Sequence, residues 1–271
     1  MSSEMSISWD GRPEVASRLS AEMFESVGAP VPDLTDEAPR PRTIGSAVAR
    51  RDGVLLGWGW VFEDEQGGDG AARVQALYVP REVRRITNGS YDLLAPPGEE
   101  FIMVESLCRQ AARAAQRAGY EFLRWGGADT GPEGRAATAL LARTQAEYAR
   151  TWSTDPATWR APVGLPDVLV RLIPGPDLTL ATSEADVSAR VEGTMAYLNA
   201  AESIHHRNAG PHTLAAVISA LVTRLQRDHP HVTELNIFEF QEATALRQAL
   251  PLAGLHISSA HHEFELPLGQ S

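Results

Sequence analysis

The sequence predicts an α/β protein with a mixed central sheet flanked by helices. Two observations carry this prediction. Three segments with strand character follow one another between Ser46 and Val79, each separated from the next by a turn. In addition, the order turn, helix, strand, helix, strand occurs twice, which indicates two related lobes. We expect the lobes to occupy residues 1–155 and 156–271, and the second to be curtailed, with its early strands shortened or missing.

The first lobe is predicted to begin with a short strand, a helix and a three-stranded meander. The expected elements are the strand Ser6–Trp9, the helix Pro13–Val27 and the strands Ser46–Arg50, Val54–Phe62 and Ala72–Val79. Arg51-Asp52-Gly53 is a hairpin signal, because glycine accepts a positive φ at no steric cost. The meander leads to an amphipathic helix over Glu100–Gly119, which places Cys108 on its apolar face.

A strand and a second helix follow in the first lobe. The strand is predicted over Glu121–Trp125 and the helix over Gly134–Ser153. The proline-rich stretch 154–176 then connects the two lobes. Within this connection, Val168–Ile173 is interpreted as the last strand of the first lobe.

The second lobe repeats part of this order. Leu178–Thr182 is predicted as a strand, whereas Glu184–Glu202 fits a helix or, over Arg190–Asn199, a strand; its apolar spacing favours the helix. The remaining segments are predicted as the helix Pro211–Arg227, the strand Leu235–Phe240, the helix Glu242–Leu250 and the strand His256–Leu266.

Composition excludes several classes of protein. The 271-residue chain has a formal net charge of −11, and all 24 of its basic residues are arginine. An acidic chain repels nucleic acid on average, although a local arginine patch can override this effect. One cysteine excludes an internal disulfide framework, and no run approaches the ~18 apolar residues of a membrane span. We therefore expect a cytoplasmic protein without a membrane partner, and the lysine-free composition is typical of a high-GC, for example actinobacterial, genome.

Motifs for metal and covalent catalysis are missing from the sequence. His205, His206 and His212 lack the helical spacing and the neighbouring cysteines or carboxylates of a metal site. G-x-S-x-G and G-x-x-x-x-G-K-[ST] are absent, so hydrolase and P-loop NTPase functions have no support. We expect Cys108 to be a buried, unreactive thiol, and we expect no metal cofactor.

The turn after the third meander strand resembles that of a known family. Leu77-Tyr78-Val79-Pro80-Arg81 and the following Arg84-Arg85 fit the start of V-x-P-x-x-R-x-x-G-x-G, and the surrounding order of elements resembles the central sheet of the GNAT superfamily of N-acyltransferases. This resemblance implies that Arg84 and Arg85 bind donor phosphates. It also implies that a backbone N–H near Leu77–Val79 polarises the donor carbonyl. The insertion Ile86–Glu100 replaces the motif's glycines and disfavours ordinary CoA binding by this lobe.

A second turn carries a related motif. In His206–His212, Arg207 and Gly210 fit H-R-G-x-G-x-G before a helix, whereas Asn208 and His212 replace glycines. This lobe resembles the C-terminal lobe of tandem GNAT enzymes of the mycothiol synthase type. Unpaired N–H groups and the helix dipole make such a turn an anion site. Because the following helix begins directly with Pro211, we expect this turn to bind pyrophosphate better than that of the first lobe.

The resemblance implies an enzyme that transfers an acyl group from acyl-CoA, acetyl-CoA by default, to the primary amine of a small molecule by direct attack. Tyr148, in the predicted helix Gly134–Ser153, and Glu239, on the strand Leu235–Phe240, are the candidate catalytic acid and base. Two alternatives stay open. One is transfer from a carrier protein or an aminoacyl-tRNA; the other is a degenerate, non-catalytic GNAT-like binding module. An arginine stripe that joins Arg84 and Arg85 to Arg109, Arg113 and Arg117 would contact a phosphate-rich donor.

Overall fold

The computed structural model of the chain describes residues 4–12, 14–26, 42–64, 70–78, 84–87, 90–93, 99–199, 203–206, 209–240 and 244–269. Its helices are α1 (Val15–Ser26), α2 (Glu99–Arg117), α3 (Pro132–Leu140), α4 (Pro211–Asp228) and α5 (Thr244–Leu252). Its strands are β1 (Ser6–Asp10), β2 (Thr43–Arg51), β3 (Val54–Glu63), β4 (Ala71–Tyr78), β5 (Arg84–Thr87), β6 (Ser90–Leu93), β7 (Phe122–Ala128), β8 (Arg143–Thr154), β9 (Arg171–Ile173), β10 (Leu178–Ala181), β11 (Ala185–Glu192), β12 (Met195–Asn199), β13 (Ile204–His206), β14 (Glu234–Phe240) and β15 (His256–Pro267).

The α/β fold class predicted from the sequence is confirmed, and the chain divides into two compact units. The first unit comprises residues 1–86, 91–146 and 262–271, and the second comprises residues 87–90 and 147–261. The sequence placed a single boundary between residues 155 and 156. In the structure the main change of unit comes earlier, and the last ten residues, 262–271, return to the first unit.

The first unit is built on a meander. Strands β1 to β4 pair antiparallel in sequence order, β7 joins β4 in parallel, and the end of β15 lies beside β7. One face of this sheet is covered by α2 and α3, around a core that includes Val74, Leu107, Leu123 and Trp125. A smaller core contains residues of α1, β2 and β3, including Leu19, Val48, Leu55 and Trp58. Alternation along the strands places these two sets on opposite faces.

The second unit has its own mixed sheet. Strand β14 pairs antiparallel with β8 and parallel with β12, and β11, β10 and β9 continue the sheet antiparallel. Strand β13 pairs with β11. Helices α4 and α5 bury their apolar faces on it, and Leu214, Ile218 and Leu250 are fully buried. The early strands of this unit are present but short, with three residues in β9 and four in β10.

One predicted helix of the second lobe is a pair of strands in the structure. The preferred helix over Glu184–Glu202 is wrong: β11 and β12 form a hairpin there, and Gly193, with φ 58°, lies in its turn. Alternate residues of β11 are buried, which is the period of a strand. The predicted strand Val168–Ile173 is shortened to β9. This strand pairs with β10 and therefore belongs to the sheet of the second unit, whereas the sequence assigned it to the first lobe.

The helix predicted over Gly134–Ser153 ends at Leu140. Leu141 adopts φ 61° and ψ 33°, a left-handed conformation that terminates α3. From Arg143 the chain extends as β8 and pairs with β14 from Ala149 to Thr154. Threonine, tyrosine and tryptophan favour a pleated, half-buried strand, and this pairing partner lies far along the chain, out of reach of local periodicity. Tyr148 therefore lies on a strand.

The chain contains two copies of a repeated sequence of elements, α2–β7–α3–β8 in the first copy and α4–β14–α5–β15 in the second. Strands β7 and β14 have seven residues each, helices α3 and α5 nine, and strands β8 and β15 twelve. The final strands are exchanged: β8 pairs with β14 of the second copy, and β15 lies beside β7 of the first. Each sheet is therefore completed by a strand from the other copy.

Ion pairs attach β15 to the first unit. Arg73 of β4 and Arg124 of β7 are register partners, and Asp64, which is 4% exposed, lies 3.2 Å from one guanidinium and 3.5 Å from the other. Glu263 of β15 pairs with Arg73, and Glu265 binds Arg124 at 2.7 Å. Like charges on directly opposite residues repel, so the three carboxylates make this arginine pair possible.

The exchanged strand is expected to stabilise the first unit strongly. Phe264 of β15 is 3% exposed and its ring centroid lies 6.0 Å from that of Trp125. Replacing Phe264 by alanine should cost about 3–5 kcal/mol of unfolding free energy, because a cavity replaces the ring. Urea unfolding measures this change.

Ile257 provides the matched control on the same strand, since 46% of it is exposed. Ile257→Ala should change the unfolding free energy by about 0.5 kcal/mol at most. Equal effects of the two substitutions would show that β15 does not belong to the core of the first unit.

Candidate functional site

Two parallel strands of the first unit diverge partway along their length. The β4–β7 ladder pairs Ala71–Arg73 with Phe122–Arg124 and then ends. Both strands continue beyond it, β4 to Tyr78 and β7 to Ala128. Their remaining halves are not paired with each other in the described residues, so the sheet is open between them.

A β-bulge lies in the open half of β4. Gly59 of β3 pairs with Leu77, whereas the next residue, Trp60, pairs with Gln75, which leaves Ala76 as the extra residue. A bulge re-aims the backbone and removes a residue from the regular ladder. Leu77 directly follows this bulge, and Val79 lies outside the described residues. The backbone segment that the sequence assigned to carbonyl polarisation therefore borders the opening.

The helix after β4 begins in an acidic environment. Strands β5 and β6 form a separate two-stranded sheet before it, and β5 begins with Arg84 and Arg85, whose side chains are outside the described part. The first turn of α2 carries Glu99, paired with Arg51, and the fully buried Glu100. Carboxylates complement the positive end of the helix dipole and repel a second anion. A pyrophosphate is disfavoured at the start of α2.

In the second unit the parallel strands stay paired, and the helix start carries no acidic residue. Its parallel pair β12–β14 stays together from Met195–Glu234 to Asn199–Phe238, over the whole length of β12. Helix α4 starts with Gly210 at the N-cap, without a side-chain cap, and has no acidic residue in its first turn. An added Cβ on Gly210 would meet nothing within 4 Å. This helix start suits an anion, while Arg207 lies outside the described residues.

Glu239 is held in an ion pair. It is 0% exposed, and the Nε of Arg247 on α5 lies 3.1 Å from both of its carboxylate oxygens. The indole Nε1 of Trp152 donates a third hydrogen bond at 3.3 Å. Glu147 lies 3.7 Å from the same Arg247 guanidinium. A carboxylate that accepts from a guanidinium and an indole is stabilised in place, which is typical of a structural ion pair.

Tyr148 lies beside a buried histidine. Its side chain is 37% exposed, and its ring centroid is 6.2 Å from that of His261. The Nε2 atom of His261 lies 2.9 Å from the hydroxyl of Thr151. The candidate acid and base, Tyr148 and Glu239, are thus both in the second unit. The open strands belong to the first.

One buried carboxylate of the first unit was not singled out from the sequence. Glu133, in the first turn of α3, is 3% exposed. An added Cβ on Gly127 of β7 would lie 2.6 Å from the Cγ of Glu133, so glycine is needed where this side chain crosses the strand. The glycines at positions 126 and 127 are the local sequence signal for this close approach.

The cysteine of the first unit agrees with the sequence prediction. Cys108 is buried as expected, and desolvation, followed by the charges of Glu133 and Glu105, raises the pKa of its thiol far above the ordinary value. Such a thiol is a poor nucleophile. Within the described ranges, no cluster of three or more potential metal ligands occurs. No helix described by the structure has the length and apolar character to span a bilayer.

Comparison with solved structures identifies the fold. The chain is similar to a GNAT-family acetyltransferase from Colwellia psychrerythraea, with 12% identity, coverage of 96% of this chain and 99% of that chain, and a TM-score of 0.50. A tandem GNAT protein from the clavulanic acid biosynthesis pathway has 14% identity, 99% and 100% coverage and a TM-score of 0.47. A GCN5-related N-acetyltransferase from Sphaerobacter thermophilus has 11% identity, 98% and 96% coverage and a TM-score of 0.42.

No protein-family model and no curated protein matches the chain. The solved structures therefore establish the fold alone. The mixed sheets, the helix order and the divergent parallel strands of the first unit are those of a GNAT fold, as the sequence predicted.

The ion pair of Glu239 gives a direct test of its structural role. Arg247→Ala leaves a fully buried carboxylate without its guanidinium and should cost about 3–5 kcal/mol of unfolding free energy. The exposed Arg227, paired with Asp228, is the control, and Arg227→Ala should have a far smaller effect. Similar losses for both variants in urea unfolding would contradict a structural role for the Glu239–Arg247 pair.

Proposed function

We propose that this chain, which has the GNAT fold, transfers an acyl group from a thioester donor to the primary amine of a small molecule. The opening between β4 and β7, next to the bulge at Ala76, carries the proposal. Backbone N–H groups that leave a ladder need another acceptor, and a donor inserted between the strands supplies one. Acyl-CoA, with acetyl-CoA as the default, is the proposed donor.

The reaction needs no covalent enzyme intermediate. The neutral amine nitrogen attacks the thioester carbonyl, the C–N bond forms, and the C–S bond breaks as the thiolate leaves and takes up a proton. A backbone N–H near Leu77 would stabilise the oxygen that becomes negative during the attack. The burial and raised pKa of Cys108 support this direct route, because no accessible thiolate is present there.

The donor's phosphates are proposed to lie away from the start of α2. Glu99 and Glu100 disfavour an anion at this helix terminus, so Arg84 and Arg85 of β5 are the proposed cationic contacts in the first unit. The uncapped start of α4, with Gly210 and the preceding Arg207, is a separate candidate contact in the second unit. Paired substitutions distinguish the two turns.

Calorimetric titration with acetyl-CoA tests this placement. The double change Arg84→Ala, Arg85→Ala should weaken donor binding by at least tenfold, since charge-assisted hydrogen bonds contribute about 1.5–3 kcal/mol each. Arg207→Ala, the matched loss of an arginine in the second unit, should leave the Kd within about twofold if the donor binds in the first unit.

If Arg207→Ala weakens acetyl-CoA binding and the double change of Arg84 and Arg85 does not, the donor binds in the second unit. If acetyl-CoA binds and neither change weakens it, both arginine assignments are wrong. Absence of binding at millimolar acetyl-CoA would exclude acyl-CoA as the donor.

A phosphate-rich macromolecular donor is the second candidate. The carboxylates in the first turn of α2 disfavour an ordinary CoA pyrophosphate, while Arg109, Arg113 and Arg117 lie exposed at four-residue intervals on the same helix. Residues at this spacing share one face of a helix. We propose that, if acyl-CoA fails, this arginine face contacts an aminoacyl-tRNA or an acyl carrier protein.

Salt-dependent tRNA binding tests the second candidate. Changing Arg109, Arg113 and Arg117 to alanine should flatten the dependence of log K on log salt, by about 0.7–0.9 per lost phosphate contact. Arg143, Arg160 and Arg171 are exposed and lie outside α2, and their triple alanine variant is the charge-matched control. Equal losses in both variants would indicate only non-specific attraction. Specific binding without turnover would indicate a non-catalytic module.

A further inference from the structure

We infer that two copies of this chain associate through one edge of the second unit's sheet, where residues 165–173 pair antiparallel with the same residues of the other copy. Three features of this segment carry the inference. It contains the edge strand β9, it exposes large apolar side chains, and it carries two exposed charges whose spacing is self-complementary.

Strand β9 is the last strand on one side of the second unit's sheet in the described part of the chain. It pairs with β10 alone, from Arg171–Ala181 to Ile173–Thr179. Among the described residues, its other side therefore carries backbone N–H and C=O groups that no strand pairs. Such an edge is a template for pairing with a further strand, unless charge, proline or a covering element protects it.

The residues just before β9 continue the side-chain pattern of a strand. Val168 and Val170 are partly buried, and Val168 packs against the core of the second unit. Asp167, Leu169 and Arg171, which alternate with them, are exposed. This period of two residues is that of a strand. The β9–β10 ladder begins only at Arg171, so in the described chain the preceding residues have the pattern of a strand without its pairing partner.

Large apolar side chains are exposed along the same segment. Leu169 is 95% exposed, Leu172 is 42% exposed and Val163 is fully exposed. Single exposed apolar residues are normal on a protein surface, whereas a group of them bordered by charged residues marks an interaction site. Association that removes these side chains from water is favourable in proportion to the apolar area buried.

The charges beside Leu169 select a second copy of the chain as the partner. Asp167 lies two residues before it and Arg171 two residues after it, and neither has an ion-pair partner among the described residues. In an antiparallel pair centred on Leu169, Asp167 of each chain lies directly opposite Arg171 of the other. Opposite charges in this position stabilise a strand pair, and like charges destabilise it. One patch thus forms both ion pairs about a two-fold axis.

The local charge of the segment also suits self-association. The whole chain has a formal net charge of −11, so two copies repel each other on average. Residues 160–173 carry two arginines, Arg160 and Arg171, and one acidic residue, Asp167. This segment is therefore not acidic, and two copies approach each other here without the repulsion that acts between their acidic surfaces.

Sedimentation equilibrium of the full chain at increasing concentrations tests the association. The unchanged chain should dimerise weakly, because pairing of one short edge buries less area than a standard interface. Leu169→Asp should raise the dimer dissociation constant about tenfold or more, since it places two like charges opposite each other. Ile102→Asp, at a 61% exposed position of α2, is the control and should change this constant by about twofold at most.

Exchange of the two charges tests the register. Asp167→Arg and Arg171→Asp should each weaken the dimer, because each change creates two pairs of like charges across the two-fold axis. The double variant Asp167→Arg, Arg171→Asp restores two pairs of opposite charges. Its dissociation constant should return to within about threefold of that of the unchanged chain.

Cysteine cross-linking under mild oxidation tests the geometry. Cys108 is buried and its thiol has a strongly raised pKa, so an introduced surface cysteine supplies the reactive thiol. Leu169→Cys should give a disulfide-linked dimer, because directly opposite residues have Cβ atoms about 4.5–5.5 Å apart. Asp167→Cys should not link to itself, since its two copies lie about 13 Å apart along the strands. A mixture of Asp167→Cys and Arg171→Cys chains should form the linked heterodimer.

Several results would overturn the inference, and thermal unfolding shows that each variant is folded before it is compared. One is a chain that stays monomeric at the highest concentration studied. Another is a dimer that Leu169→Asp leaves intact. Failure of the double charge exchange to restore the dimer, or of the cysteine pair to link selectively, would exclude the antiparallel register centred on Leu169.

Discussion

The structure of the first unit depends on the neutralisation of two adjacent arginines. Arg73 and Arg124 occupy the last shared position of β4 and β7, and Asp64 alone leaves an excess of positive charge. Glu263 and Glu265 of β15 supply the remaining carboxylates. Because β15 is the last strand of the second copy of the repeat, the first sheet is complete only when this C-terminal strand is in place. The parallel strands diverge directly beyond this position.

The two units differ in their parallel strands and in the start of the helix that packs on them. The first has separated parallel strands and a bulge, but its helix begins with two glutamates. The second has an uncapped, non-acidic helix start, but its parallel strands stay paired. An opening admits an extended donor, whereas a free helix terminus attracts an anion. Among the described residues, the opening between parallel strands lies in the first unit and the uncapped helix start lies in the second.

The two units bury their carboxylates at different positions of the repeat. Glu239 accepts hydrogen bonds from Arg247 and Trp152, an arrangement that holds its side chain in place. At the corresponding point of the first unit, glycine replaces the strand carboxylate and Glu133 of the helix fills the space. Burial by itself therefore does not identify a proton acceptor.

Local sequence patterns determined much of the fold. Helices α1, α2, α4 and α5, the meander and the final strand follow from apolar periodicity and turn residues, and the motif around Leu77–Arg85 led to the correct superfamily fold. Only tertiary structure decided that Tyr148 lies on a strand, that residues 185–199 form a hairpin and that β8 and β15 exchange sheets. It also decided the burial of Glu133 and the ion pair of Glu239. These features depend on pairing between residues far apart in the chain, and their energy comes from contacts that a local window of sequence does not contain.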